Sequence, residues 1–394
     1  MKVVYLTMRS PHEALKGDQL IAHNQLKSIY RKKDKIYLIT FNEYSKKNKL
    51  SEEDIKKDLK NYCEEVYIIK QSNKKKIINA LRVFINGKPI QVNMFFDMKI
   101  KKEILNIINN INPDIIHVQT IRGAEYVEDI DKPKTLDMID LLSLNMERRA
   151  QKENIVLKPI FKLESSLLEK YEKKMIKIFD KIFLVSDKEK QILNSNNVVV
   201  NPNGVGRNNR MKNSNHKEDI IVFHGNMGYF PNAEAVNMFC KDIWPEVHKL
   251  YPNYKFYIVG NNPSQSVIKL GGKNNIVVTG FVENIYEYLD KAKIGVYPLS
   301  AGTGMQNKIL EALISGLPTV TTKFAIQGIK DISNKETLIC NTKEEIISNI
   351  KNLIENEDNR KNIAENGIEF VKDKFSWKRN CDILQNQWSD IYKK

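Results

Sequence analysis

The sequence predicts an α/β protein built from two doubly wound units, and three observations carry that expectation. Short apolar runs rich in β-branched residues alternate with helix-length segments from the first residues onward. The same alternation starts again after Gly204, and hydrophobic periodicity lapses between the two stretches. In the first half, strand-like runs fall at Val3–Thr7, Ile36–Phe41, Val66–Ile69, Ile115–Gln119, Thr135–Met138 and Ile182–Ser186. In the second they fall at Ile220–His224, Phe256–Gly260, Ile276–Gly280, Ile294–Pro298, Pro318–Thr322 and Thr337–Cys340. Strands separated by helices imply parallel sheets covered on both faces. The boundary is expected in VNPNGVGRNNRMKNSNHKED, Val200 to Asp219, where polar and turn-forming residues cluster. The domains expected are residues 1–205, 206–375 and a terminal helix over 376–394. In open parallel sheets ligands sit beyond the carboxyl ends of the strands, so two facing units would hold a substrate in the cleft between them.

Composition agrees. A chain of 394 residues is too long for one typical core, and an apolar fraction of 41% supplies globular domains. Cys63, Cys240, Cys340 and Cys381 are widely separated, with no spacing that suggests a disulfide framework or a metal site. The first residues read as a strand, not a leader, and no run of about 18 apolar residues occurs, so a cytoplasmic protein is expected. The net charge of +15 is unevenly spread: residues 1–110 hold 23 Lys and Arg against 12 Asp and Glu. Basic residues crowd at Arg31–Lys35, Lys46–Lys49 and Lys74–Lys76, the last beside the apolar Ile77–Ile85. That excess reads either as a surface drawn to anionic lipid at the inner leaflet or to a phosphate-bearing acceptor, or as lysine-rich solvated loops. Nucleic acid is not an expected partner, because the basic runs carry few interleaved aromatics.

The stretch from Pro298 to Pro318, PLSAGTGMQNKILEALISGLP, sets a glycine-punctuated turn before a helix. Glycines let a backbone approach a ligand, and the N–H groups near Met305, Gln306, Asn307 and Lys308 would point at an anion such as a diphosphate. Lys308 and Glu311 are three apart and share a helix face, where a cation would meet phosphate and a carboxylate would accept two sugar hydroxyls. Gly316 is expected to cap this helix and Pro318 to stop it. An ordinary amphipathic helix, with Ile309, Leu310 and Leu313 in the core, is the competing reading.

Several segments together resemble the retaining glycosyltransferases of family 4, of GT-B architecture, and within them the sugar transferases of exopolysaccharide and capsule gene clusters. They are KGDQL at Lys16–Leu20, LEKYEKK at Leu168–Lys174, VSDKEK at Val185–Lys190, NPNGV at Asn201–Val205, FHGNMGYFPNAEAV at Phe223–Val236, GTGMQNKILEAL at Gly302–Leu313 and LPTVTTKFAIQGI at Leu317–Ile329. The resemblance implies a GT-B fold of two Rossmann-like domains facing across a cleft, the first for the acceptor and the second for the donor. It implies a nucleotide-sugar, UDP- or GDP-linked, as co-substrate, with no further cofactor and no metal, and a glycan or lipid-linked glycan as acceptor. Glu311 would bind the ribose, Gly304 and Met305 would offer amides to the diphosphate, and Lys308 would neutralise the leaving group. Gly17 would approach from the opposite wall, and Gly280 to Val282 would hold the nucleobase. His224, with Gly225 and Asn226 after it, would lie beside the phosphates. The terminal helix would cross back to the first domain.

Two departures from the wider family stand out. Thr303 occupies the position eight before Glu311 where a glutamate is common, and Asn226 and Pro231 stand where Arg and Lys are usual. We read both as variation within the branch, with Lys308 taking over charge compensation. His117, ending the run IIHVQ, is expected to face the cleft as a candidate for the chemistry. Asp137 and Asp140 would either orient an acceptor hydroxyl or cap the helix DLLSLNMERRA, capping being favoured for at least one. Glu164, Glu169 and Glu172 read as exposed salt-bridging residues of a lysine-rich helix. A nucleotide-sugar epimerase of the same fold and a non-catalytic basic scaffold are the alternative functions.

Overall fold

The computed structural model describes residues 1–12, 17–30, 34–43, 51–153, 155–206, 217–300 and 305–393. Lys16, Arg31 to Lys33, Lys46 to Lys49, most of the junction and Gly302 to Gly304 lie outside the described residues. The chain divides into two compact units, Met1–Gly204 with Trp377–Lys394, and Val205–Ser376.

The first unit is built on seven parallel strands. They are β1 (Lys2–Thr7), β2 (Lys35–Glu43), β3 (Glu65–Gln71), β4 (Ile115–Gln119), β5 (Lys134–Ile139), β6 (Lys181–Leu184) and β7 (Val198–Val200), in the order β3-β2-β1-β4-β5-β6-β7. Strand β7 is an addition to the sequence reading: its three valines merge with the polar junction and carry too little pattern to stand out. Every residue of β1 from Val3 to Thr7 is buried, and the period of two splits them: Val4 and Leu6 join one core cluster, Val3 and Tyr5 the other. A parallel strand covered on both faces therefore reads as one unbroken apolar run. The terminal helix Trp377–Tyr392 packs in this unit, where Cys381, Leu384 and Trp388 share a cluster with Ala22, Leu26 and Ile29 of the helix Gly17–Ile29. Gln25 of that helix accepts from the Tyr5 hydroxyl and donates to Asn380 at 3.0 Å, so a polar pin crosses an otherwise apolar contact.

The second unit has six parallel strands: β8 (Ile220–His224), β9 (Lys255–Val259), β10 (Ile276–Gly280), β11 (Ile294–Tyr297), β12 (Thr319–Thr322) and β13 (Leu338–Cys340), ordered β10-β9-β8-β11-β12-β13. The winding reverses between β8 and β11, which makes their carboxyl ends the switch point where ligands bind in such sheets. The helix Asn307–Ile314 follows β11 and buries Ile309, Leu310, Ala312 and Leu313. It ends as its sequence requires. Gly316 takes φ +66°, its N–H reaches the Leu313 carbonyl at 2.9 Å and the Leu317 N–H reaches Ala312 at 3.1 Å, the paired closure of a left-handed helix stop.

The glutamates of the helix Lys158–Ile178 correct the sequence reading. Only Glu169 forms the exposed pair expected, with Lys173 at 2.6 Å. Glu164 and Glu172 are buried, because each accepts backbone donors that would otherwise be unsatisfied. Glu164 takes the N–H groups of Ile90 (2.7 Å) and Gln91 (2.9 Å), and Glu172 takes the N–H (3.0 Å) and hydroxyl (2.6 Å) of Ser143. Burial raises the pKa of both carboxyls, against those hydrogen bonds. With Glu172 serving the helix Leu142–Lys152, neither Asp137 nor Asp140 caps it: its N-cap residue is Leu141, with no side-chain cap.

Trp388 is fully buried against His117, with ring centroids 5.3 Å apart, and its indole N–H donates to Thr135 Oγ1 at 3.1 Å. Trp388→Ala is expected to destabilise the protein by about 3–5 kcal/mol, measured by chemical denaturation.

Candidate functional site

The second unit gathers a polar constellation at the β8–β11 switch point. His224, the last residue of β8, is 2% exposed and engages both ring nitrogens: Nδ1 lies 2.8 Å from the Tyr297 hydroxyl at the end of β11, and Nε2 lies 3.0 Å from Glu311 Oε2. An ionised carboxylate only accepts, so Nε2 carries the proton; in the neutral ring Nδ1 then accepts from Tyr297. Tyr297 is itself fully buried, and burial raises its phenol far above the ordinary range, so it stays a donor. The chain Tyr297, His224, Glu311 thus sets the rotamer of a carboxylate that keeps 30% of its side chain open to solvent.

Lys308 sits one turn before Glu311 yet does not bond to it. Its ammonium donates to Asn232 Oδ1, on the helix Phe230–Met238, and lies 5.5 Å from the Phe223 ring centroid. Asn232 is oriented in turn by donating to the Asn226 carbonyl at 2.9 Å. Burial pushes the Lys308 ammonium down to about 8, opposed by the nearby Glu311 charge. The result is a desolvated cation whose direct partner is a neutral amide, and such a cation favours an incoming anion.

Two glycines allow close packing beside these groups. A Cβ on Gly225 would lie 2.9 Å from Asn232 Nδ2 and 3.5 Å from Lys308 Cε; one on Gly260 would lie 1.8 Å from the Gly225 carbonyl oxygen. Both have left-handed φ, +150° and +143°, and the Gly225 N–H pairs with the Val259 carbonyl at 2.9 Å. The ends of β8 and β9 can therefore touch backbone to backbone. Gly280 turns the end of β10 with φ +69°, ahead of an exposed Phe281 and a half-buried Val282.

Among the residues expected from the sequence, His224, Gly225, Asn226, Lys308 and Glu311 are brought together here. Met305, Gln306 and Asn307 lead into the helix, and Thr303 and Gly304 lie outside the described residues. Asn232 and Tyr297 were missed. Asn232 lies within a segment singled out for another reason, and no spacing rule links it to Lys308. For Tyr297 a signal existed: a tyrosine ending an apolar parallel strand is buried and needs a partner for its hydroxyl.

In the first unit the picture differs. His117 is fully buried among Tyr5, Phe183 and Trp388, with Nδ1 2.8 Å from Thr135 Oγ1 and its pKa lowered by burial to about 3. It is a neutral core residue, which corrects its expected outward placement: in β4 even the polar positions face a covered side of the sheet. Asp137 is also buried, raised to about 6 by burial, and accepts from the Ile139 N–H at 3.0 Å. Asp140 is half-buried past the end of β5, its pKa raised by burial and countered by Arg148. Gly17 begins the helix Gly17–Ile29 with open space around a would-be Cβ. Thr120, just past β4, and Ile139, ending β5, hold φ of +69° and +68°, costly for β-branched residues and typical of sites under functional constraint. Among the described residues, no three His, Cys, Asp or Glu converge as metal ligands.

With this geometry established, known proteins give it a class. Residues 218–356 match the family model described as Glycosyl transferases group 1. The chain is a glycosyltransferase. A 119-residue stretch is 32% identical to an uncharacterized glycosyltransferase of Methanocaldococcus jannaschii, covering 28% of this chain and 30% of that one. A longer match, 25% identical over 350 residues, covers 83% of this chain and 86% of an uncharacterized 44.6 kDa protein in the cps region of Klebsiella pneumoniae. Among solved structures, Anabaena HepE in complex with UDP aligns with a TM-score of 0.64 at 12% identity, over 99% of this chain and all of that one. The fold is that of the GT-B glycosyltransferases, two Rossmann-like parallel sheets.

The buried Lys308 generates a prediction for the glycosyltransferase alone. Its folded pKa of about 8 lies below the ordinary lysine value of 10.5, so between those values the unfolded chain binds more protons and stability from this group rises with pH. Below pH about 8 the charged form costs stability, and Lys308→Met should stabilise the ligand-free protein by about 1–3 kcal/mol at pH 7, the gain vanishing toward pH about 10.5. Denaturation curves of both proteins across that range check it.

Proposed function

We propose that this glycosyltransferase moves a hexose from a nucleoside-diphosphate sugar, held by the second unit, to a lipid-linked or growing cell-surface polysaccharide acceptor served by the first, with retention at the anomeric carbon. The observation that carries the reading is the pairing of an anion-seeking Lys308 with a carboxylate fixed by His224 and Tyr297, three residues away at a parallel-sheet switch point. A nucleoside diphosphate offers the matching chemistry: a dianion for the ammonium and a ribose diol for the two oxygens of Glu311. The UDP in HepE supports a uridine or related nucleotide, and the cps-region relative supports a polysaccharide product.

Transfer breaks the bond between the anomeric carbon and a phosphate oxygen, so negative charge grows on the leaving diphosphate. Lys308 and the amides from Met305 into the following helix stabilise that charge, where a preorganised cation lowers the barrier most. The departing phosphate takes the acceptor proton as the new bond forms on the same face. Asp140 orients the acceptor hydroxyl; His117, with no accessible surface, takes no direct part. In this reading the enzyme works at the inner face of the membrane, held there by its basic first unit, although no described helix is long and apolar enough to cross a bilayer.

A thermal-shift screen of nucleoside diphosphates and their sugars tests the donor assignment, and the absence of stabilisation by every member overturns it. Glu311→Ala and Lys308→Ala are each expected to lower sugar transfer by at least roughly tenfold. Tyr297→Phe, which leaves His224 without its hydroxyl partner, should weaken nucleotide binding by about threefold to tenfold in a calorimetric titration. Affinity for the diphosphate should also fall as pH rises past about 8, as Lys308 loses its proton.

A further inference from the structure

The segment after β3 distributes its side chains the wrong way round for a surface helix pair. Across the helices Asn73–Ala80 and Val83–Asn86, five large apolar side chains, Ile77, Ile78, Leu81, Phe84 and Ile85, are between 63% and 88% exposed. The inward side instead carries Lys76, 8% exposed, with its ammonium 4.6 Å from the Phe95 ring centroid. The excursion is fastened by polar contacts. Asn79 donates to the Phe96 carbonyl at 2.8 Å, Asn86 and Asn93 exchange two amide hydrogen bonds at 2.8 and 3.1 Å, and Lys88 pairs with Glu125 at 2.7 Å. Apolar residues that could have supplied a core are therefore held outward.

The segment's own charge is of one sign, although Lys70 pairs with Glu52 at 2.9 Å, Lys75 with Asp97 at 3.2 Å and Lys88 with Glu125. From Val66 to Phe96 the chain has six basic residues and no carboxylate: Lys70, Lys74, Lys75, Lys76, Arg82 and Lys88. A second exposed stretch continues the character. Ile155 and Val156 are largely exposed and lead into the helix Lys158–Ile178, whose first turns present Lys158, Ile160, Lys162 and Leu163. Glu164, one residue further on, holds the Ile90 and Gln91 N–H groups, which ties this stretch to the end of the first.

We propose that this face of the first unit docks on an anionic lipid surface, with Phe84, Ile85 and the neighbouring isoleucines entering the headgroup boundary and the exposed Lys74, Lys158 and Lys162 meeting lipid phosphates. Apolar residues pointing outward beside cations are the physical requirement for lying in a bilayer interface. A second copy of the chain is the poorer occupant: a symmetric contact would press the same carboxylate-free basic segment against itself. The inference deepens the reading above, in which the acceptor is presented at a membrane, by naming the surface that reaches it.

The test is co-sedimentation of the full chain with phosphatidylcholine vesicles, with and without about 30% phosphatidylglycerol. The wild type should bind the anionic vesicles at least about tenfold more strongly than the neutral ones, and lose that preference in high salt. Phe84→Ser with Ile85→Ser should lower binding at least about tenfold, and Lys74→Glu with Lys158→Glu should do the same, with circular dichroism unchanged. Ile85→Ser alone serves if the double variant fails to fold. Wild-type binding by these variants, or no binding by the wild type, overturns the proposal. A concentration-dependent dimer abolished by Phe84→Ser with Ile85→Ser, in protein that ignores vesicles, assigns the face to a second copy instead. Nucleotide-induced stabilisation, measured in parallel, separates this outcome from the donor assignment, which lies in the other unit.

Discussion

Parallel pairing is the constraint from which the candidate site follows. With every strand of the second sheet running the same way, all carboxyl ends meet at one edge, and the reversal of winding between β8 and β11 leaves a gap there that no crossover helix fills. His224 ends one of the two strands, Tyr297 ends the other, and the first helix after β11 brings Lys308 and Glu311 to the same place. The sheet therefore fixes the positions of four polar side chains by backbone geometry before any of them interacts.

Interaction then separates two charged groups that the helix would otherwise bring together. Lys308 and Glu311 are spaced to pair across one turn, yet each finds its hydrogen bond elsewhere, Lys308 on Asn232 and Glu311 on His224. A direct ion pair would neutralise both and leave little to offer a ligand. Held apart, one is a desolvated cation and the other an oriented acceptor, the arrangement on which the proposed anion site rests. The close contact of Gly225 with Gly260 serves the same end, since a Cβ at either position would collide with the neighbouring strand end or with Asn232.

The first unit places its polar groups by a different logic. Two of its buried carboxylates, Glu164 and Glu172, accept from backbone donors at the starts of other helices, and His117 is sealed among aromatics. Strain, not a charge cluster, marks the ends of β4 and β5, where Thr120 and Ile139 adopt left-handed φ. Its outward apolar face adds a second departure from the usual inside-outside division.

The sequence by itself determined the strands other than β7 and the doubly wound class, because a strand buried on both faces is an unbroken apolar run and the helices between carry their own stop signals, as Gly316 does. It also determined which helix bears the cation and carboxylate, since three-residue spacing on a helix is local geometry. Only the tertiary structure decided what those groups touch. Asn232 reaches Lys308 across 76 positions, and Tyr297 reaches His224 across 73. It likewise decided that His117 faces a core, and that Glu164 and Glu172 turn inward while Glu169 on the same helix stays out. Hydrogen-bond partners far apart in the chain leave no periodic trace, and burial of a polar residue depends on which element covers it.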